Sequence, residues 1–332
     1  MDMRQFITRK AIYLVITLLA IIIFNFALFR IMPGDPARVL VPRGATPEMI
    51  DFIHEKYHLN DPLYVQLGYY LKDVFTGELG YSGTVRPFAP IKDMIGPPAL
   101  NTVLLVGFGT AIAVWLGIML GRAAAWRRGK AADTVGMAFA ITFYSMPTFL
   151  FALVMVMLFG GELGWFPIGN AYGALPGNPD PGPYSDFTLS EKIVSRGYHL
   201  ILPVLAFAAE VMAEFALIMR NSLTDVLTED YIVTARAKGL SNARILHDHA
   251  MRNALLPVVT VTAISVGWVL GGDIMVEIVF NYDGLGLLTW EAVNGRDFTL
   301  LQSLFLIMAI AVLAANLLAD LLYVYLDPRV HV

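Results

Sequence analysis

Six stretches of mostly apolar residues punctuate this chain, at Ala11–Met32, Ala99–Gly121, Thr134–Phe159, Leu200–Met219, Ala254–Phe280 and Leu301–Leu326. Each has the length of about 20 residues that a helix needs to cross the hydrocarbon of a bilayer. Lipid offers no partner to a backbone N–H or C=O, so a crossing segment must close its hydrogen bonds within itself, and the helix does this. The pattern predicts an all-α integral membrane protein with six transmembrane helices. Composition agrees: 57% of residues are hydrophobic and 15% charged, where soluble domains carry roughly 45–50% and about 25%. The fourth stretch is short and holds Glu210 and Glu214. There is no cysteine, which excludes a disulfide framework and any Cys-ligated metal. The first apolar run is too long for a removable signal peptide, and no small-residue cleavage site follows it.

Lysine and arginine set the orientation, because they accumulate in cytoplasmic connections. One set of connections carries thirteen basic residues against seven acidic ones, among them Arg9, Lys10, Arg127, Arg128, Lys130, Arg220 and Arg252. The other set, 33–98, 160–199 and 281–299, carries nine basic against fifteen acidic. Both termini and the connection that begins at Asp230 are therefore expected inside, at a plasma (inner) membrane. Outside lies a region of some sixty residues with two helix-like segments, Pro47–His58 and Pro62 to Phe75, then Gly77-Glu78-Leu79-Gly80-Tyr81-Ser82. A second outside segment, Gly160–Pro183, is too dense in glycine and proline for a regular element. It reads as an insert that touches an external partner or a neighbouring subunit.

The connection from Asp230 to Pro257 is the most polar and basic one in the second half. It reads as two short helices broken at Gly239, which suits the left-handed conformation that closes a helix. Asp230 is the expected N-cap of the first helix, Ser241 that of the second, and Tyr231, Ile232 and Ala235 form one apolar stripe. Pro257 marks the start of the next apolar run. Physics alone leaves two readings, a patch for anionic headgroups or a docking surface for protein.

The residues themselves add a resemblance. Ala235-Arg236-Ala237-Lys238-Gly239-Leu240-Ser241, followed by Arg252-Asn253-Ala254-Leu255-Leu256-Pro257, closely resembles the cytoplasmic coupling loop of ABC importer permeases of the dipeptide, oligopeptide and nickel branch. The general importer motif opens Glu-Ala-Ala where this chain has Val233, Thr234 and Ala235, and its glycine-to-proline gap is shorter. Both departures are usual in the peptide branch. Pro33-Gly34-Asp35-Pro36-Ala37, Val276–Phe280 leading to Gly284-Leu285-Gly286, then Asn294, Arg296 and Asp297, and a last span ending Asn316, Asp320, Tyr323 and Leu326–Arg329 extend the likeness over essentially the whole chain.

The resemblance implies a type I ABC importer permease fold with a small external domain after the first helix. Its parts would be residues 1–32, a tail and first span; 33–98, the external domain; and 99–332, a five-helix core with the insert 160–199 and the coupling loop 230–253. It implies a transport subunit, not an enzyme, that conducts di- or oligopeptides; nickel complexes or oligosaccharides are the alternatives within the branch. Coupling would rest on Asp230, Tyr231, Thr234, Ala235, Arg236, Ala237, Lys238, Gly239, Leu240, Ser241, Arg252, Asn253 and Pro257. The implied partners are a second homologous permease subunit, two ATPase subunits, an external substrate-binding protein and lipid, with no nucleic acid. No cofactor is expected on this chain: it has no Gly-x-x-x-x-Gly-Lys-Ser/Thr loop to cradle phosphate, so ATP and Mg belong to the partner ATPases.

His54-Glu55-Lys56-Tyr57-His58 satisfies the H-E-x-x-H pattern of zinc proteases, whose helix pitch would align both imidazoles beside Glu55. Charged Lys56 inside the motif and a turn-like Asn60-Asp61-Pro62 after it favour a polar helix end. The intramembrane acids carry more weight, since carboxylates in hydrocarbon are costly. Glu210 and Glu214 share a face of the fourth span, and Asp273 and Glu277 a face of the fifth; they serve either helix–helix hydrogen bonding or a pathway for a cationic group. Gly107, Gly109, Gly117 and Gly121 suggest close helix approach, Met146-Pro147 predicts a kink, and Arg30 is placed to snorkel.

Overall fold

A computed structural model of the chain describes residues 3–31, 46–56 and 58–326. The Pro33-Gly34-Asp35-Pro36-Ala37 motif, Tyr57 and Asp327-Pro328-Arg329 lie outside the described residues, as do the side chains of Asp320 and Tyr323. Among the described residues the regular structure is helical, with two isolated β-bridges, Tyr81 to Pro90 and Leu175 to Asn178. In chain order the helices are α1 (Met3–Ile31), α2 (Pro47–Lys56), α3 (Leu63–Thr76), α4 (Ile91–Trp126), α5 (Ala131–Ser145), α6 (Thr148–Met155), α7 (Leu189–Val226), α8 (Asp230–Ala237), α9 (Asn242–Arg244), α10 (Met251–Trp268), α11 (Ile274–Val279), α12 (Leu285–Gly295) and α13 (Phe298–Leu326).

Four of these, α1, α4, α7 and α13, are long and apolar enough to cross a membrane, and α5 with α6 makes a fifth if that pair is one span. The predicted kink in the third apolar stretch is a full break. α5 stops at Ser145, Met146 is extended (φ −84°, ψ 127°), and the chain re-enters helix at Thr148 after a bend of 98°. Pro147 has no N–H to continue the ladder and its ring drives the preceding residue out of helical conformation, which accounts for both facts. The fifth stretch also differs from expectation. Its helix ends at Trp268 and passes through a 3₁₀ turn, Val269–Gly271, to Gly272 at φ +71°, before α11 begins. Paired glycines make that left-handed step cheap where an apolar count saw only continuity.

The described chain divides into two compact units, one of Met1–Thr102, Leu270–Ile274 and Asp283–Val332, the other of Val103–Val269 and Met275–Tyr282. In the first, α1 packs on α13 and α3, and α12 on α13. Phe29, Ile91, Met94, Leu285, Leu288 and Leu304 form its buried core. Asn25 Nδ2 donates to the Tyr70 hydroxyl (3.2 Å) and to the Gln302 carbonyl (2.9 Å), joining α3 and α13 to α1. The turn before α13 is held by Asp297, which is fully buried. Its Oδ2 accepts from Ser82 Oγ (2.6 Å) and from the N–H groups of Gly83 (2.9 Å) and Thr84 (3.0 Å), while Oδ1 accepts from Leu300 N–H (3.2 Å) at the start of α13. One carboxylate thus caps a helix and fills a nest of backbone donors.

In the second unit α7 is the spine, packed against α10, α5 and α6. It starts with a capping box: Thr188 accepts from Glu191 N–H, and the Glu191 carboxylate accepts from Thr188 N–H. α4 approaches it closely, because lipid-embedded helices gain contact by shedding side chains at the seam. A Cβ on Gly117 would lie 2.8 Å from the Met212 carbonyl, and one on Gly121 would lie 2.4 Å from that of Ala216. Gly109 faces the Phe207 ring, but Gly107 has open space and plays no such part. The glycine- and proline-rich stretch after α6 is largely irregular, as expected, and is ordered by bonds to side chains of α7. His199 Nδ1–H donates to the Gly169 carbonyl (2.8 Å), and Nε2 accepts from Ala174 N–H (2.9 Å). Ser195 Oγ accepts from Gly173 N–H (2.9 Å), and the Tyr198 hydroxyl donates to Trp165 O (2.7 Å).

Candidate functional site

The connection after α7 folds as an elbow. α8 is capped by Glu229 at its N-cap position, with Asp230 its first helical residue, so the expected cap lies one place earlier and makes no side-chain bond. Its other end is closed as the sequence anticipates. Gly239 sits at φ +75°, its N–H donates to the Arg236 carbonyl (2.9 Å), and Leu240 N–H donates to that of Ala235 (3.3 Å). This 5→2 and 6→1 pair is a Schellman closure, with Leu240 and Ala235 meeting in the same apolar cluster. Ser241 then occupies the N-cap position of α9 in extended conformation (φ −65°, ψ 148°) without a side-chain bond.

α9 runs through a π-helical turn, Ile245–Ala250, directly into α10, and Pro257 lies inside α10 instead of opening it. The wider π turn absorbs a residue that a regular helix would have to rotate out of register. Ile232, Ala235, Ile245, Ala250 and Ala254 are buried against Phe215, Met219 and Leu223 of α7. Of the expected stripe, Ile232 and Ala235 go in, whereas Tyr231 stays exposed (39%). Its hydroxyl accepts from Asn253 Nδ2 (2.8 Å), which closes the two arms of the elbow on each other. Ser222 Oγ donates to the Ala254 carbonyl (2.9 Å), fixing α10 to α7.

The other face is open. Asp230, Val233, Thr234, Arg236, Ala237, Lys238, Gly239, Ser241, Arg244 and Arg252 are all exposed, and a Cβ on Gly239 would meet nothing within 4 Å. The result is a rigid amphipathic platform, buried on one side, with basic residues and two small apolar side chains on the other.

One clamp beside it carried no sequence signal beyond a charge count. Arg220 Nε donates to Asp133 Oδ1 (2.6 Å) and its Nη2 to Oδ2 (2.9 Å), and the same carboxylate accepts from Gly129 N–H (3.0 Å). This two-pronged pair ties the start of α5 to the end of α7.

The intramembrane acids are not one cluster of equals. Glu210 is half-buried and accepts from the Thr148 hydroxyl, linking α7 to the first residue after the Pro147 break. Glu214, one turn on, is exposed. Asp273 lies in the break before α11 and not on the helix that carries Glu277, and Glu277 is fully buried. The H-E-x-x-H segment is also divided. α2 ends at Lys56, and His58 falls beyond it in a turn at φ +55°, its Nδ1 against Asp61 Oδ2 (3.0 Å) and its ring stacked on Tyr69 at 3.8 Å. Among the described residues no group of three His, Cys, Asp or Glu side chains is placed to hold a metal.

Several helices long and apolar enough to cross a membrane, one of which leads into a polar elbow, mark a multi-pass membrane protein. Residues 113–332 match the family described as binding-protein-dependent transport system inner membrane component, and residues 3–89 match the N-terminal region described for such membrane components. The chain belongs to that family: it is a permease subunit of an ABC transport system, a transport component without an ATPase site of its own. It is 36% identical to the dipeptide transport system permease protein DppB of Alkalihalophilus pseudofirmus over 99% of both chains. It is 35% identical to the oligopeptide transport system permease protein AppB of Bacillus subtilis over 99% of this chain and 100% of that one. The glutathione transport system permease protein GsiC of Salmonella typhi is 33% identical over 99% of both.

Proposed function

We propose that this chain forms one side of the pathway through which an ABC importer carries di- and oligopeptides, and that the elbow at 230–253 is where two ATPase subunits drive it. The relatives named for dipeptides, oligopeptides and glutathione support the substrate class. In this reading a second homologous permease completes the pathway, six spans cross the membrane, and both termini face the cytoplasm. Residues 33–98 form an external domain that receives the substrate-binding protein, and the insert 160–199 is a second external segment. The basic bias of the elbow's side supports this orientation. ATP and Mg stay on the partner subunits.

The observation that carries the reading is the two-faced elbow. A partner pressing on its exposed side moves Ile232 and Ala235, which are embedded among Phe215, Met219 and Leu223, so the push passes to α7 and α10 without slack. Glu210 and Glu214, on one face of α7, and Asp273 would offer carboxylates to a peptide's amino terminus; Glu277, enclosed, would act only in another conformation. Gly239 gives the test. A β-branched residue at φ +75° costs on the order of 1–3 kcal/mol of backbone strain, whereas asparagine tolerates that region. In reconstituted complexes Gly239→Val should insert normally yet lose about tenfold or more in ATP-driven peptide uptake, and Gly239→Asn should retain most of it. Full uptake by Gly239→Val would refute the lever.

A further inference from the structure

We propose that His199 is a pH-operated latch: its neutral imidazole holds residues 169–174 of the insert against α7, and a proton on the ring releases that stretch and opens one wall of the cavity behind it. The cavity measures about 680 Å³, and its lining includes Phe166, Asn170, Tyr172, Ala174, Tyr198 and His199. Residues 169–174 form no helix or strand, so their backbone groups must find partners elsewhere. Side chains on the first turns of α7 supply several of them.

The ring's partners fix its protonation state. Nδ1 lies 2.8 Å from the Gly169 carbonyl oxygen and 3.0 Å from that of Asn170; a carbonyl only accepts, so Nδ1 carries the proton. Nε2 takes the Ala174 N–H at 2.9 Å, so it is bare. Both nitrogens are matched in the neutral form alone. A second proton, on Nε2, would set N–H against N–H, forfeit the Ala174 bond and put a charge on a ring that is 6% exposed. No counter-charge stands ready for it. Tyr172, Asp180 and Tyr198 line the same cavity, Arg196 precedes the ring by a turn on α7, and Glu277 and Tyr282 belong to the segment around α11 that packs with Leu200 and Leu202. Among the described residues none of these six has a hydrogen bond or ion pair with the ring. The remaining holds do not titrate in this range: Ser195 Oγ accepts from Gly173 N–H, and Asn281 Nδ2 donates to Asn170 Oδ1 (2.8 Å). The neutral ring is the form that binds, so the latch is set above the ordinary histidine pKa of about 6.5 and gives way as the pH falls below it.

The test uses the full chain in its assembled complex, in lipid nanodiscs, where both faces meet the buffer and the outcome is independent of orientation and of the elbow. The chain has no cysteine, so Ala171→Cys, at a position 1% exposed on the held stretch, provides one buried thiol. Its maleimide labelling rate is divided at each pH by that of Ser185→Cys, at an exposed position, which cancels the pH dependence of the reagent. From about pH 7.5 to about pH 5 the ratio should rise about tenfold or more, as expected for loss of a buried hydrogen bond. His199→Gln keeps an amide acceptor but cannot titrate; in that background the rise should vanish, whether the starting ratio is low or already high. Ala250→Cys, at a fully buried position in the elbow, should stay closed at both pH values. Three results would overturn the latch: a flat ratio with His199 in place; a rise of equal size in His199→Gln; or an Ala250→Cys thiol that opens together with the one at 171, which would mark acid loosening of the whole fold.

Discussion

Asp297 does more with one side chain than any other residue in the described chain. It is fully enclosed, and its two oxygens take donors from the 82–84 turn and from the first turn of α13. Replacing it by asparagine preserves size but turns an amide N–H₂ toward donors. We expect Asp297→Asn to cost roughly 2–3 kcal/mol, read as a lower melting temperature of the detergent-solubilised protein. A loss within error would mean that water or a side chain takes over the carboxylate's place. Asp133 and Arg220 should behave as a unit. Their two-pronged contact, with side chains 6% and 26% exposed, should give a coupling of about 1–3 kcal/mol in the cycle Asp133→Asn, Arg220→Gln and both. Additive losses would show that the pair contributes geometry and no energy. Neither partnership was visible in the sequence: Ser82 and Asp297 are 215 positions apart and Asp133 and Arg220 are 87 apart, and a charge count used Arg220 only to orient the chain.

At the scale of elements, local rules reached far and then failed for a reason. Gly239 and Ser241 stand at the C′ and N-cap positions that their chemistry indicated, because a helix end is decided by the few residues around it. Asp230 missed its place by one residue, since Glu229 is an equally polar neighbour and neither makes the capping bond that would decide between them. Tyr231 was assigned to the buried stripe on spacing. Its exposure follows from a bond to Asn253, 22 residues away, which periodicity cannot register. Apolar length merged α5 with α6 and α10 with α11, because hydropathy is blind to a break whose flanks are equally greasy. The glycine seam was legible except at Gly107, and it yields a contrast. Gly121→Ala should destabilise by about 1–3 kcal/mol through overpacking against the Ala216 carbonyl and Met219 Cβ. Gly107→Ala, with nothing within 4 Å, should be neutral. Equal melting temperatures for the two variants would remove close approach as the reason for the seam.

For the whole molecule, the class of protein was open to a reader of the sequence because lipid imposes so few solutions, long apolar runs with basic connections on one side, and because the residues of one connection resemble a known coupling loop. What gives that connection its mechanical meaning is burial. Five of its residues are packed with α7 while its basic face stays clear, and this division between faces is the core of the proposed coupling. The chain contains no cysteine, so a single Ala237→Cys places one thiol on the exposed face. Its maleimide labelling rate, compared between the chain alone and the complex assembled with its ATPase subunits, tests the proposal most directly. The account expects the rate to fall about tenfold or more on assembly. An undiminished rate at Ala237→Cys in a complex that still hydrolyses ATP and imports peptide would contradict it.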